Sequence, residues 1–134
     1  MTMQPRISSR ALVEAANREV EVITVEQAIA LHGADDVVFV DLRDVRELER
    51  EGRIPGALHV PRGMLEFWID PDSPYFKPVF DEDRRFVFHC SLGWRSALAA
   101  QTAQRMGLQK VSHVDGGFTG WKKQGGPVEA YAKK

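Results

Sequence analysis

The stretch Phe86-Val87-Phe88-His89-Cys90-Ser91-Leu92-Gly93-Trp94-Arg95-Ser96 decides how the rest of this chain is read. Phe86-Val87-Phe88 is a continuous apolar run, the pattern of a strand buried on both faces of a parallel sheet. From Arg95 to Met106 the chain reads as helix: Leu98, Thr102 and Met106 recur at spacing four, and Ala97, Ala99, Ala100 and Ala103 are strong helix formers. Gly107 is placed to stop it. Between strand and helix lies a short loop carrying the chain's single cysteine, Cys90. A thiol is reactive as the thiolate, and a free cysteine with a pKa of about 8.5 is mostly protonated at neutral pH. The start of a helix offers unpaired N–H groups and a partial positive charge, and Arg95 adds a full one. Gly93 frees the loop from the usual φ limits, so successive N–H groups can turn inward. The segment therefore reads as a nucleophile set at a solvent-facing loop, with a positive field that favours its ionised form.

Outward from this segment, strands and helices alternate. Ser9 to Arg18 is helix-like, with Ser8 or Ser9 as N-cap. Val20 to Ile23 is a short strand, and Thr24 with Gln27 forms a capping-box pattern opening a helix to about Leu31. Val37-Val38-Phe39-Val40 is a second apolar strand ending at Asp41, and Arg43 to Glu51 is a charged helical stretch closed by Gly52. Ala57-Leu58-His59-Val60 follows as another strand, and Lys110 to Val114 as the last, before the turn Asp115-Gly116-Gly117 and a short segment holding Trp121, expected to pack in the core. Pro61 to Glu82 carries four of the seven prolines and reads as an irregular loop. Its aromatics Phe67 and Trp68 are expected to border the mouth of the site with Trp94, leaving Arg62 to meet an anion; sealing of the core by these rings is the alternative. The alternation predicts an α/β fold with a mostly parallel central sheet flanked by helices on both faces. Sites in such sheets gather at the carboxyl ends of strands, where Asp41 and Cys90 lie.

The chain has 134 residues, 43% hydrophobic and 28% charged, enough for one ordinary domain with a real core. Its formal net charge of -1 leaves no global basic field, so no nucleic-acid partner is expected and any anion site is local. One cysteine cannot make an internal disulfide and suits a reducing compartment; with no apolar run long enough for a membrane span, a cytoplasmic location is expected. The expected organisation is an N-terminal leader and helix over residues 1–19 and a single domain over 20–134.

Four blocks, in order, resemble the rhodanese family of sulfurtransferase domains. Phe39-Val40-Asp41-Leu42-Arg43 with Glu47 resembles its first signature. Gly52-Arg53-Ile54-Pro55-Gly56-Ala57 resembles the second, with Arg53 where a histidine is commoner. Cys90-Ser91-Leu92-Gly93-Trp94-Arg95-Ser96 resembles the active-site loop, and Gly116-Gly117, Trp121 and Gly126-Pro127 the C-terminal signature. The resemblance implies a rhodanese-like domain in which Cys90 takes the outer sulfur of a donor such as thiosulfate as a persulfide and passes it to cyanide or a thiol. It implies Ser91, Leu92, Gly93, Trp94, Arg95 and Ser96 as the substrate-binding loop, and Asp41 and Arg43 as its support. Partners would be a small-molecule sulfur donor and a thiol acceptor, with a protein acceptor a further candidate; no cofactor, metal or membrane is implied. Related phosphatases and arsenate reductases carry five residues between cysteine and arginine, whereas four lie between Cys90 and Arg95 here. Two other readings stay open: a non-catalytic or regulatory binding module first, and a phosphatase or arsenate reductase behind it. Within the site, Asp41 is expected to pair with Arg43 or Arg95, Arg43 to face Glu47 at helical spacing, and Trp94 to form a pocket wall. His89 is expected to be a bystander beside the strand end.

Overall fold

The two faces of one sheet carry two separate cores, and the alternation of side chains along each strand separates them. The computed structural model describes residues 6–132; the first five residues of the expected leader lie outside the described residues. Five strands, β1 (Glu21–Ile23), β2 (Val37–Asp41), β3 (Leu58–His59), β4 (Arg85–His89) and β5 (Val111–Val114), lie side by side in the order β1-β5-β4-β2-β3. Every pairing is parallel; Val40 sits beside Phe88 and Leu58, and Phe88 beside His113. Among the described residues six α-helices cover the sheet: α1 (Ser9–Glu19), α2 (Val25–Leu31), α3 (Val45–Glu51), α4 (Leu65–Ile69), α5 (Trp94–Arg105) and α6 (Gly117–Lys123).

Val38, Val40, Phe86, Phe88 and Val111 point to one face, where Ala99, Ala100 and Ala103 of α5 and Leu65 and Ile69 of α4 close over them. The small alanines let α5 approach the sheet closely. Phe39, Val87 and Val114 point to the other face and meet Ala28 of α2 and Phe118 and Trp121 of α6. Trp121 is fully buried, as expected, and its indole N–H donates to the Pro127 carbonyl at 2.7 Å. Caps define several helix starts. Ser8 accepts from Ala11 N at 3.0 Å, and Thr24 with Gln27 forms the expected capping box. Asp44 and Glu47 form a second box at the start of α3, so the helix begins after Arg43 rather than at it.

The irregular loop expected over 61–82 is more ordered than its prolines suggest. It holds a 3-10 turn at Arg62–Met64, then α4, then a second 3-10 turn at Pro78–Asp81. Leu65, Ile69 and Phe80 are buried, and Trp68, Phe76 and Val79 pack against the same core. Trp68 lies under the Lys77 ammonium, 4.8 Å from its ring centroid, and Arg62 pairs with Glu66 at 3.0 Å. Trp68 is thus a core-sealing ring rather than a wall of the site, and Arg62 is already paired. Burial of its large apolar area decides its place. Phe67 remains half exposed.

Candidate active site

β4 delivers Cys90 to the carboxyl end of the sheet, where the ladder continues one step further through Leu42 N donating to His89 O at 2.9 Å. Cys90 is 1% exposed, not solvent-facing as the sequence suggested, because the loop folds back over it between α5 and α6. Gly93, at φ +123°, makes the reversal that starts α5. Its N–H donates to Cys90 Sγ at 3.2 Å.

The start of α6 orients the rest of the loop. Phe118 N donates to Cys90 O at 2.8 Å, Thr119 N to Ser91 O at 3.1 Å, and Gly116 N to Leu92 O at 3.1 Å. Three successive carbonyls are therefore tied outward to one helix start. Each peptide plane carries its N–H opposite its C=O, so this outward bonding turns loop amides toward the space around Cys90. Gly117 permits the close approach: a Cβ there would lie 2.5 Å from Cys90 O and 2.7 Å from Ser91 O. Gly116 and Gly117, read in the sequence as a turn, are the seat of the loop.

Arg95 does not offer a free charge. It grips Glu47 with two hydrogen bonds, at 2.7 and 2.9 Å, and Ser91 Oγ donates to the same carboxylate at 2.9 Å. Arg95 holds the Glu47 carboxyl down to about 2, against some opposition from burial, with Asp44 N–H and Ser91 adding to it. In return Glu47, over a smaller opposing effect of burial, raises Arg95, and Cys90 contributes in the same direction. The expected Arg43–Glu47 pair is therefore replaced by Arg95–Glu47. The capping box places Glu47 where it faces the loop, and Arg43 turns inward instead.

Inside, Arg43 is fully buried and donates to both Asp41 oxygens, at 3.0 Å (Oδ1) and 2.8 Å (Oδ2), and to the Gly52 carbonyl at 2.9 Å. Its guanidinium lies over the Phe118 ring, 4.1 Å from the centroid. Burial pushes the Asp41 carboxyl up, but the adjacent His89 and Arg43 more than reverse this and hold it well below the usual carboxylate range. His89 Nε2 is 3.3 Å from Asp41 Oδ2. Arg43 thus lies against the ring of Phe118, whose N–H donates to Cys90 O, and Asp41 beside His89, the residue before Cys90.

Leu92 and Trp94 are 51% and 68% exposed. Trp94 walls a groove of about 400 Å³ with Arg95, Leu98 and, from α1, Ser9 and Val13. Trp94 is expected to wall the site together with the 61–82 segment; the groove it lines is shared with α1 instead, and Cys90 is not among its lining residues. Ser96 is fully buried, and Cys90 Sγ lies 3.6 Å from its Oγ, which is 3.0 Å from His113 Nδ1; His113 Nε2 is 2.6 Å from Asn17 Oδ1. The sequence singles out Glu47 but with the wrong partner; the Asp44-x-x-Glu47 box is the signal that could have turned it toward the loop. His113 and Asn17 carry no local signal, since only the pairing of β5 beside β4 and the docking of α1 on α5 bring them to the loop. Among the described residues no His, Cys, Asp and Glu cluster is arranged to hold a metal ion, and no helix is long and apolar enough to cross a membrane.

Comparison with known proteins places the chain among relatives of the same fold. The structure is similar to that of a Rhodopseudomonas palustris protein of unknown function described as a possible tyrosine phosphatase, with 56% identity, a TM-score of 0.94, and 96% of this chain and 99% of that one covered. The sequence is 30% identical to the thiosulfate sulfurtransferase GlpE of Glaesserella parasuis, over 80% of this chain and 91% of that protein. It is also 30% identical to the dual specificity phosphatase Cdc25 of Arabidopsis thaliana, over 85% and 81%. The family model of the rhodanese-like domain matches residues 24–124, and the chain belongs to that family.

Proposed function

We propose that this protein is a sulfurtransferase in which Cys90 takes a sulfane sulfur from a donor such as thiosulfate and passes it to a thiol or to cyanide. The observation that carries this reading is the loop whose three carbonyls are tied away to α6 while Gly93 N–H already points at the sulfur. Such a ring of amides stabilises a compact anion next to Cys90 Sγ. In the first step the thiolate attacks the outer sulfur of thiosulfate; a new S–S bond forms, the donor's S–S bond breaks, and sulfite leaves with the electron pair. In the second step an acceptor thiolate attacks the terminal sulfur of the persulfide, and Cys90 leaves as thiolate. Ser91 to Ser96 supply the anion cradle, and Asp41 and Arg43 brace it from below. Residues 20–134 make the rhodanese-like domain, with α1 docked on it, acting in the cytoplasm without a cofactor.

A phosphatase is the second reading, favoured by the names of two similar proteins. Loop size argues against it, since only four residues separate Cys90 from Arg95 and the Arg95 fork is occupied by Glu47. Intact-mass measurement after incubation with thiosulfate tests the proposal. The expected result is a gain of one sulfur atom in the protein and none in Cys90→Ser. Hydrolysis of a phosphate ester by the unmodified protein, lost in Cys90→Ser and without any sulfur gain, would overturn it.

A further inference from the structure

Cys90 is the first of four side chains joined end to end. Its Sγ lies 3.6 Å from Ser96 Oγ, which lies 3.0 Å from His113 Nδ1, and His113 Nε2 lies 2.6 Å from Asn17 Oδ1. Cys90, Ser96 and His113 are each no more than 1% exposed. The direction of the bonds follows from the far end. An amide oxygen only accepts, so Nε2 of His113 carries the hydrogen. In the neutral ring Nδ1 is then a lone pair, and the Ser96 hydroxyl donates to it. Ser96 Oγ in turn offers its own lone pair to the Cys90 thiol. Every donor in the chain points away from the sulfur.

We propose that His113 receives the Cys90 proton through the Ser96 hydroxyl, with Asn17 as the positioning residue that keeps the imidazole in the receiving tautomer. The transfer is two coupled hops. The Sγ–H bond breaks as an Oγ–H bond forms on Ser96, while the original Oγ–H bond of Ser96 breaks as an Nδ1–H bond forms on His113. The products are a thiolate and an imidazolium, with the Ser96 hydroxyl now donating to the sulfur and accepting from the ring. No external acid or base is consumed.

The surroundings suit this role. His113 bonds Asn17 from α1 and Ser96 from α5, and its Cε1 lies beside Gly93 of the loop. Its register neighbours are Val22 on β1 and Phe88 on β4, neither of which titrates. Burial lowers the His113 pKa and Asp115 only partly offsets this; the shift favours the neutral ring from which the relay starts and opposes the imidazolium it forms, which the thiolate formed in the same step offsets. His89, although adjacent to Cys90 in sequence, takes no part. It points to the opposite face, with its ring centroid 6.3 Å from that of Phe39. Asn17 lies before the residues matched by the family model, so a helix outside that match supplies the end of the relay.

The inference rests on the reading of Cys90 as the nucleophile, but it is measured without any sulfur donor. The thiolate of the sole cysteine is followed by ultraviolet absorbance in the full-length protein, with Cys90→Ser subtracted, and the His113 tautomer by nitrogen NMR. We expect the Nε2–H tautomer. We expect a roughly tenfold lower thiolate-to-thiol ratio at neutral pH in His113→Gln and in Ser96→Ala, equivalent to about one unit of pH. Asn17→Asp, which places a carboxylate against Nε2, should instead raise the ratio. An Nδ1–H tautomer, or a ratio unchanged in folded His113→Gln, overturns the relay. If His113→Gln does not fold, the tautomer of the unmodified protein and the direction of the Asn17→Asp change still decide. Sulfur gain on Cys90 with an unresponsive thiolate removes the relay and leaves the sulfurtransferase. A responsive thiolate without sulfur gain removes the sulfurtransferase and leaves the relay.

Discussion

Replacing Gly117 with alanine tests whether the start of α6 shapes the Cys90 loop. The new Cβ would stand 2.5 Å from Cys90 O and 2.7 Å from Ser91 O, both backbone atoms that cannot swing aside. Gly117 also sits at φ +53°, where an L side chain costs about 1 kcal/mol. Relieving the clash means separating the loop from α6 and losing the bonds from Phe118 N and Thr119 N. At about 1 kcal/mol net for each bond, the total is roughly 3 kcal/mol. That is a large part of the stability of a domain, typically about 5–15 kcal/mol, and for a chain of this size it lowers the melting temperature by about 10 °C. Gly116→Ala is the matched control. Gly116 has φ +92°, but a Cβ there meets only Val25 Cγ2 at 3.5 Å, an ordinary contact. It should cost about 1 kcal/mol, from backbone strain alone. Thermal melting and thiosulfate-to-cyanide transfer are measured on both. The expected result is a gap of about 2 kcal/mol between the variants, with transfer lost preferentially in Gly117→Ala. Equal melting and equal turnover in the two would refute the claim that contact with α6 orients the loop.

Three further outcomes follow from the same contacts. The Glu47 carboxyl is lowered from 4.5 to about 2 in the fold, so its stabilisation is complete above about 4.5 and disappears as pH falls through about 2; urea midpoints across that range should lose this slope in Glu47→Gln, and an unchanged slope would show that the Arg95 pair contributes nothing. Arg43→Leu leaves the buried Asp41 carboxylate with only His89 and the backbone N–H of residue 43 beside it and should cost about 3 kcal/mol in urea unfolding, whereas a loss under about 1 kcal/mol would mean that this pair is dispensable. Trp68→Ala should lower stability by about 2 kcal/mol, reflecting a partly buried aromatic, and leave the preference among thiol acceptors unaltered; a changed preference at constant melting temperature would return Trp68 to the wall of the site.

What could be read in the sequence was what is encoded locally. Apolar runs such as Phe86–Phe88 and Val37–Val40 marked strands, because a strand covered on both faces has no polar side to show. Thr24 with Gln27 marked a helix start, because a capping box is complete within four residues. The loop was recognisable because its glycine, arginine and serine are fixed relative to Cys90. Pairing of charges was not legible in the same way. Arg43 and Glu47 have helical spacing, yet Asp44 caps the helix between them, and that single cap sends Arg43 into the core and Glu47 out to Arg95. The exposure of Cys90 was misjudged for a related reason. A loop at a strand end is ordinarily open to solvent, and only the return of the chain through Gly116 and Gly117 covers it. The order in the 61–82 segment comes from Leu65, Ile69 and Phe80 finding a core, information carried by distant strands rather than by the prolines.

The same distinction explains where the chemistry of the site originates. A cysteine at the end of a parallel strand begins with two sources of positive field, the helix start and Arg95. Glu47 engages the second, so Arg95 acts on the sulfur only as one half of an ion pair, and backbone dipoles supply the rest of the field. Dipoles act over short distances and only when oriented. Their orientation in turn depends on α6 holding the carbonyls of Cys90, Ser91 and Leu92, and α6 is positioned by Phe118 and Trp121 in the core and by Arg43 against the Phe118 ring. A site that receives its anion from oriented amides rather than from a free arginine favours a small anion seated close to Sγ. Four intervening residues make such a ring tight. A tetrahedral phosphate, with oxygens spread around its centre, needs a wider ring and an arginine fork free to grasp two of them. Here that fork already holds a carboxylate, and this is the physical reason for placing sulfur transfer ahead of phosphate hydrolysis.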